Sequence, residues 1–277
     1  MREQPPTFTQ KVKKFLGLPD QQNRFGAGFD YTQGAHEMAR EQGNPEGTFD
    51  GYRIIGRDTP INEGVYFIKG DAEILLVDDG ADGGWLKQNE RFLLARLITL
   101  SKTQRLTESV IISEAYKLAR QLMPFNEDAV KQKVGHLKEY TKLHLKDFAG
   151  GGVCRHQALL CGYLLERLYR TGRLKGSASV DRSLLPYKGH AWVRYTTEAG
   201  QVIIVDPARD PGVLILDDLP EMQPDRVFYE RPGEYPDKIM YKSERLETRL
   251  VSRARRMGQT VRSWFLGKVP PRSAAAA

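Results

Sequence analysis

Residues with catalytic potential are concentrated around one cysteine, Cys154, which follows three glycines, Gly150 to Gly152. The glycines end any preceding element, and an apolar repeat up to about residue 170 predicts a helix that begins at Cys154. A cysteine attacks carbonyl carbons as a thiolate, and a helix N-terminus favours that anion through its free N–H groups and its dipole. The same N–H groups can hold the oxyanion of a tetrahedral intermediate. Cys154 is therefore the predicted nucleophile, whereas Cys161, two turns further along an apolar stripe, is predicted to be a core residue.

A thiolate nucleophile needs an imidazole partner, and His190 is the histidine best placed to supply it. It enters a predicted strand over 189–195, and the next predicted strand, over 201–205, ends at Asp206. If these strands pair as neighbours, the carboxylate of Asp206 lies close to the start of the His190 strand. It would then accept the Nδ1 proton of the imidazole and present Nε2 to the sulfur. His156 is predicted to point to the other side of the cysteine helix, and so not to be the base.

Four further residues are predicted to contact a substrate. Gly152 lacks a Cβ and would let a substrate backbone approach the sulfur closely. Arg155 is expected to be exposed beside the nucleophile, where it either binds a carboxylate or faces solvent. Trp192 is expected beside the triad, and Tyr187 on the rim of the cleft, which residues 181–188 would form.

A cysteine at the head of a helix, a His-Ala-Trp strand and a strand ending in Asp-Pro resemble the transglutaminase-like superfamily of papain-type cysteine enzymes, over roughly residues 106–216. The string Gly-Val-Cys-Arg-His at 152–156 is also similar to a stretch in the N-terminal domain of plant Raf-like ethylene-response kinases and in bacterial transglutaminase-like proteins. The resemblance implies that Cys154 is the nucleophile, His190 the general base and then acid, and Asp206 the orienting residue. Members of the family use an upstream Trp or Gln side chain as a second oxyanion donor, and the candidates here are Trp85, Gln121 and Gln132.

The resemblance implies acyl transfer on a protein or peptide amide through a thioester, by a protease, a glutamine deamidase or a transglutaminase. These reactions share one acyl-enzyme and differ in the acceptor that reaches it, so the triad does not distinguish them. The alternative is a catalytically silent transglutaminase-like domain that acts as a protein-binding module. No cofactor and no metal are expected, because a structural zinc site needs four ligands in spaced pairs and the chain has no second cysteine pair.

Hydrophobic periodicity predicts an α+β fold, with a papain-like core of helices packed on an antiparallel sheet. Residues 1–50 are predicted to be a loosely ordered lead-in, and residues 51–103 a β-rich and then helical extension. Residues 104–242 are the predicted catalytic core, and residues 243–277 a basic amphipathic helix and tail. Within these segments, helices are expected over 85–100, 106–123, 127–145 and 154–170, and core strands over 177–180, 191–195, 201–205 and 213–216.

The 277 residues are 40% hydrophobic and 28% charged, a composition that excludes both an intrinsically disordered and a membrane-embedded protein. The net charge of +7 comes entirely from residues 242–277, so no nucleic-acid partner is expected for the body of the chain. The basic tail either docks on the body, lies on an anionic membrane or binds an acidic partner. The first twenty residues have no apolar core typical of a secretory signal, and a cytoplasmic location is predicted.

Overall fold

The computed structural model describes residues 32–67, 73–138, 140–185, 188–220 and 224–231. They form an α+β fold, as predicted, and its strands make two sheets. In chain order the α-helices and strands are α1 (Thr32–Glu41), β1 (Thr48–Phe49), β2 (Tyr52–Ile54), β3 (Gly64–Tyr66), β4 (Glu73–Val77), α2 (Trp85–Ser101), α3 (Glu108–Leu122), α4 (Glu127–Val134), β5 (Thr141–His144), α5 (Cys154–Arg170), β6 (Ser177–Leu185), β7 (Lys188–Thr196), β8 (Val202–Val205), β9 (Val213–Ile215) and α6 (Pro224–Tyr229). Two short 3-10 helices, Leu145–Phe148 and Leu216–Asp218, lie between these elements.

The two sheets differ in strand direction. The first has the order β1-β2-β3-β4-β5 and is mixed, because β2 pairs with β3 and β4 pairs with β5 in parallel. The second has the order β6-β7-β8-β9 and is antiparallel throughout, which confirms the predicted antiparallel sheet. Consecutive strands of this sheet are neighbours, as short connections allow.

Strand β4 is buried on both faces, as its unbroken apolar run Ile-Leu-Leu-Val predicts. Because side chains alternate along a strand, Leu75 and Val77 enter the main core, whereas Ile74 and Leu76 face a smaller core. That smaller core includes Ala35, Met38 and Ala39 of α1. Burial against the first sheet therefore orders residues 32–49, which the sequence predicted to be part of a loosely ordered lead-in.

Helix α5, which begins at Cys154, lies at the centre of the main core and packs against α3, β6 and β7. Helix α5 lies close to the second sheet at Gly162, where an added Cβ atom would be 3.1 Å from the side chain of Val180 in β6. The same Cβ atom would be 2.7 Å from the side chain of Ile61. Side chains from α2, α3 and both sheets join this core. The predicted extension and the predicted catalytic core thus share one hydrophobic core and, through β5, one sheet.

The helix predicted over 127–145 is wrong beyond Val134. Helix α4 buries only Val130, so little apolar surface would hold a longer helix in place. The backbone turns at Tyr140, whose φ is 63°, and the chain continues as β5 beside β4. The hydrogen bonds gained along β4 replace those of the expected helix.

Three predictions fall wholly or partly on residues that the structure does not describe. The basic helix and tail expected over 243–277, Tyr187, and residues 1–31 of the expected lead-in all lie outside the described residues. None of the helices in the described part of the chain is long and apolar enough to cross a membrane.

Candidate active site

Three glycines precede the nucleophile helix, the first favoured by its backbone conformation and the other two by the close packing around them. Gly150 has a φ of 82°, in the left-handed region that favours glycine. At Gly151 a Cβ atom would lie 3.1 Å from the Cβ of Ala129. At Gly152 it would lie 3.1 Å from the Cβ of His156. The run therefore packs the loop tightly against α4 and α5.

The backbone of Gly152, predicted to lie beside a bound substrate, is bonded to the connection between α3 and α4. Its N–H donates to the carbonyl of Pro124 at 3.0 Å, and its carbonyl accepts from the N–H of Asn126 at 2.7 Å. The residue is buried and both of its backbone groups are already paired. Gly152 therefore ties the nucleophile loop to the α3–α4 connection and offers no free backbone group to a substrate.

Cys154 is the first residue of α5, as predicted, and its side chain is buried, with 6% of the residue exposed. The carbonyl of Val153 accepts from the N–H groups of His156 and Gln157. The N–H of Cys154 itself has no acceptor among the described residues. It is the group in the first turn best placed to hold an oxyanion next to the sulfur.

His190 and Asp206 come together as the strand pairing predicts. Val193 of β7 pairs with Val205 of β8, and His190 Nε2 lies 2.6 Å from Asp206 Oδ2. His190 also forms a side-chain hydrogen bond with Cys154. Since Nε2 is bonded to Asp206, the nitrogen that faces the sulfur is Nδ1, so the predicted assignment of the two ring nitrogens was reversed.

The electrostatics of the site favour a charged pair. Burial opposes ionisation of the Cys154 thiol, but its hydrogen bond to His190, the charge of His190, the N–H of Ala191 and the charge of Arg155 together lower its pKa. Burial also opposes the charge on His190, yet hydrogen bonds to Asp206 and Cys154 raise its pKa from 6.5 to about 9. These shifts favour a thiolate beside an imidazolium over a neutral thiol beside a neutral imidazole.

Asp206 is fully buried and held by several donors. Besides His190, the hydroxyl of Tyr229 donates to Oδ2 at 2.8 Å, and the N–H of Ala208 donates to Oδ1 at 3.1 Å. Arg209 Nε lies 3.7 Å from Oδ2. Tyr229, the last residue of the short helix α6, was not predicted from the sequence.

Trp192 lies beside the triad, with its ring stacked at 6.0 Å from that of His190, but it is 0% exposed. Its ring packs against Phe228 at 5.0 Å and against Tyr229 at 5.1 Å. Its place beside the triad is as predicted, but its full burial leaves no exposed surface for the predicted contact with a substrate. Trp192 instead packs its apolar ring against one face of the His190 imidazole.

Arg155 is less exposed than predicted, since 23% of its side chain is accessible. Its guanidinium forms an ion pair with Glu73 of β4, a buried carboxylate that was not predicted from the sequence. Burial opposes ionisation of Glu73, but contacts with His156 and Arg155 lower its pKa. Glu73 thus holds the guanidinium of Arg155 in place, and the charge of Arg155 helps to lower the pKa of the Cys154 thiol.

The candidates for a second oxyanion donor do not share one location. Gln121 and Gln132 are exposed on α3 and α4, and Trp85 packs against the main core at the start of α2. The amide of Gln157, a residue not considered from the sequence, is buried and donates to the carbonyl of Met123 at 2.7 Å.

No protein-family model, curated protein or solved structure matches this chain.

Proposed function

We propose that this chain is a cysteine-dependent enzyme that transfers acyl groups from protein or peptide amides, with a transglutaminase-like core. The observation that carries the proposal is the Cys154–His190–Asp206 arrangement at the start of α5. The Cys154 thiol, the His190 imidazole and the buried Asp206 carboxylate stand in sequence, and their contacts lower the pKa of the thiol and raise that of the imidazole. This is the arrangement that nucleophilic attack on a carbonyl requires.

The proposed reaction begins when the thiolate of Cys154 attacks the amide carbon. A C–S bond forms, the carbonyl π electrons move to oxygen, and the N–H of Cys154 stabilises the resulting oxyanion. His190 then gives its Nδ1 proton to the leaving nitrogen as the C–N bond breaks, which leaves a thioester. The neutral imidazole next takes a proton from water or an amine, which attacks the thioester and restores the thiolate.

Asp206 serves this cycle without changing its own charge. It accepts the Nε2 proton of His190 and so keeps Nδ1 directed at the sulfur. The negative charge of Asp206 also favours the imidazolium that the leaving group needs as an acid. Hydrolysis, deamidation and transamidation all use these steps and differ only in the leaving group and the acceptor.

The experiment that tests the proposal measures product formation from a peptide library that contains internal glutamine. Ammonia release in water would indicate deamidation, incorporation of an added primary amine would indicate transamidation, and shorter peptides in the mass spectrum would indicate cleavage. Cys154→Ala should abolish the product in each case. The absence of all three products would refute the proposal for these substrates and favour the alternative, a catalytically silent domain that binds a protein. The deep burial of Cys154 is the observation that favours this alternative.

A further inference from the structure

His156 occupies the third position of α5 and is fully buried. The N–H of Val153, the residue that precedes the nucleophile, donates to His156 Nδ1 at 3.0 Å. Because Nδ1 accepts this hydrogen bond, the ring proton lies on Nε2. Nε2 has no aligned hydrogen-bond acceptor among the described residues, but it lies 3.3 Å from Oε1 of Glu73.

The imidazole of His156 is neutral in this setting. Burial is the main reason that its pKa is lowered to about 4. Three charged groups face it from three elements: Glu73 of β4 favours its protonation, whereas Arg155 of α5 and Lys133 of α4 oppose it. The ring also stacks on Phe148 at a centroid distance of 3.8 Å, which fixes its plane.

A neutral acceptor at this position has a consequence for the nucleophile. The third residue of a helix often reaches back to the N–H of the capping residue, and Glu or Gln usually does so. A glutamate here would place a negative charge within one helical turn of Cys154 and oppose the thiolate. An imidazole that holds its proton on Nε2 makes the same hydrogen bond without that charge.

We propose that His156 is a positioning residue for Cys154. As an uncharged acceptor for the N–H of Val153, it holds the peptide between Gly152 and Val153, one residue before Cys154, and so restricts the direction of the sulfur and of the Cys154 N–H. Glu73 keeps the proton on Nε2, so that Nδ1 remains available to Val153. The catalytic consequence rests on the proposed function, but the effect on the reactivity of the thiol does not.

The test compares His156→Gln with His156→Met in the full chain. Gln supplies a neutral acceptor for the N–H of Val153, and Met has a similar length but supplies none. We expect the rate of Cys154 alkylation by iodoacetamide at pH 6 to fall on the order of tenfold in His156→Met, the size of one lost hydrogen bond. His156→Gln should recover most of that rate. The midpoint of the pH profile should rise in the Met variant and not in the Gln variant.

Tyr163→Phe provides a matched control, because it removes a buried hydrogen bond of α5, from the Tyr163 hydroxyl to Asp79 at 3.1 Å. It should lower the melting temperature without changing alkylation. If His156→Met lowers the melting temperature but alkylates like the wild type, or if Gln and Met behave alike, the positioning role is refuted.

Nitrogen NMR of the histidine rings is a second test, and it needs no variant to fold. It should show His156 as the neutral Nε2–H tautomer between pH 6 and pH 8, and a protonated Nδ1 would overturn the proposal. Should the wild type turn over no amide, the proposed function fails, while the alkylation and NMR results still decide the role of His156.

Discussion

Replacing Asp206 with Asn removes the charge beside His190 and keeps the size of the side chain. Oδ2 of Asp206 accepts from His190 and Tyr229, while Oδ1 accepts from the N–H of Ala208. An asparagine has one oxygen where aspartate has two, so either orientation of its amide sets an N–H₂ group against a donor. If the amide nitrogen faces His190, the imidazole must take its proton on Nδ1, where it can no longer accept the thiol proton.

The size of the effect follows from the electrostatics of His190. Its pKa is raised from 6.5 to about 9, a difference that corresponds to about 3 kcal/mol. Cys154 contributes part of that difference, so the share of Asp206 is smaller. We therefore expect Asp206→Asn to reduce alkylation of Cys154 at pH 6 by roughly ten- to a hundredfold.

The assay is the second-order rate of iodoacetamide labelling, followed by mass spectrometry of the peptide that contains Cys154. Cys161 is an internal control, because it is 0% exposed and burial raises the pKa of its thiol. It should remain unlabelled while the protein is folded. An Asp206→Asn variant that is folded and labels Cys154 within threefold of the wild-type rate would refute the role assigned to the carboxylate.

Three further outcomes follow from the same site. Tyr229→Phe should lower the free energy of unfolding in urea by about 1–3 kcal/mol, because a buried carboxylate oxygen loses a donor. Gly152→Ala should destabilise by a similar amount, about 1–3 kcal/mol, because its Cβ would lie 3.1 Å from that of His156, whereas Gly189→Ala, with no atom within 4 Å, should leave urea unfolding unchanged. Turnover should decline as the pH rises through about 9, since His190 then loses the proton that the leaving group needs, and a pH–rate profile that stays flat to pH 10 would contradict this.

Much of the site could be predicted from local signals. Glycines followed by an apolar repeat predicted that α5 begins at Cys154, and the sequence pattern of the following segment predicted strands β7 and β8. A tight turn between these strands fixes their register, and register brings His190 to Asp206. The ring nitrogen that faces the sulfur could not be predicted in the same way. It depends on where α5 lies over the sheet, which no local pattern encodes.

The residues that support the triad come from distant parts of the chain. Glu73 reaches Arg155 across 82 residues, and Tyr229 reaches Asp206 across 23. Such contacts depend on the topology of the sheets and leave no periodic signal. One observation does indicate that Glu73 has a partner. It begins a strand whose five residues are all buried, and a buried carboxylate requires a partner.

The proposed chemistry depends most on the charge of one sulfur atom, that of Cys154. Ultraviolet absorbance of the thiolate, taken as the difference between the wild type and Cys154→Ala across a pH titration, measures that charge directly. We predict that thiolate absorbance persists at pH 6, where an ordinary thiol is almost fully protonated, and that it is lost at this pH in His190→Ala. A wild-type thiolate that forms only in the range of a free cysteine, near pH 8.5, would contradict the account.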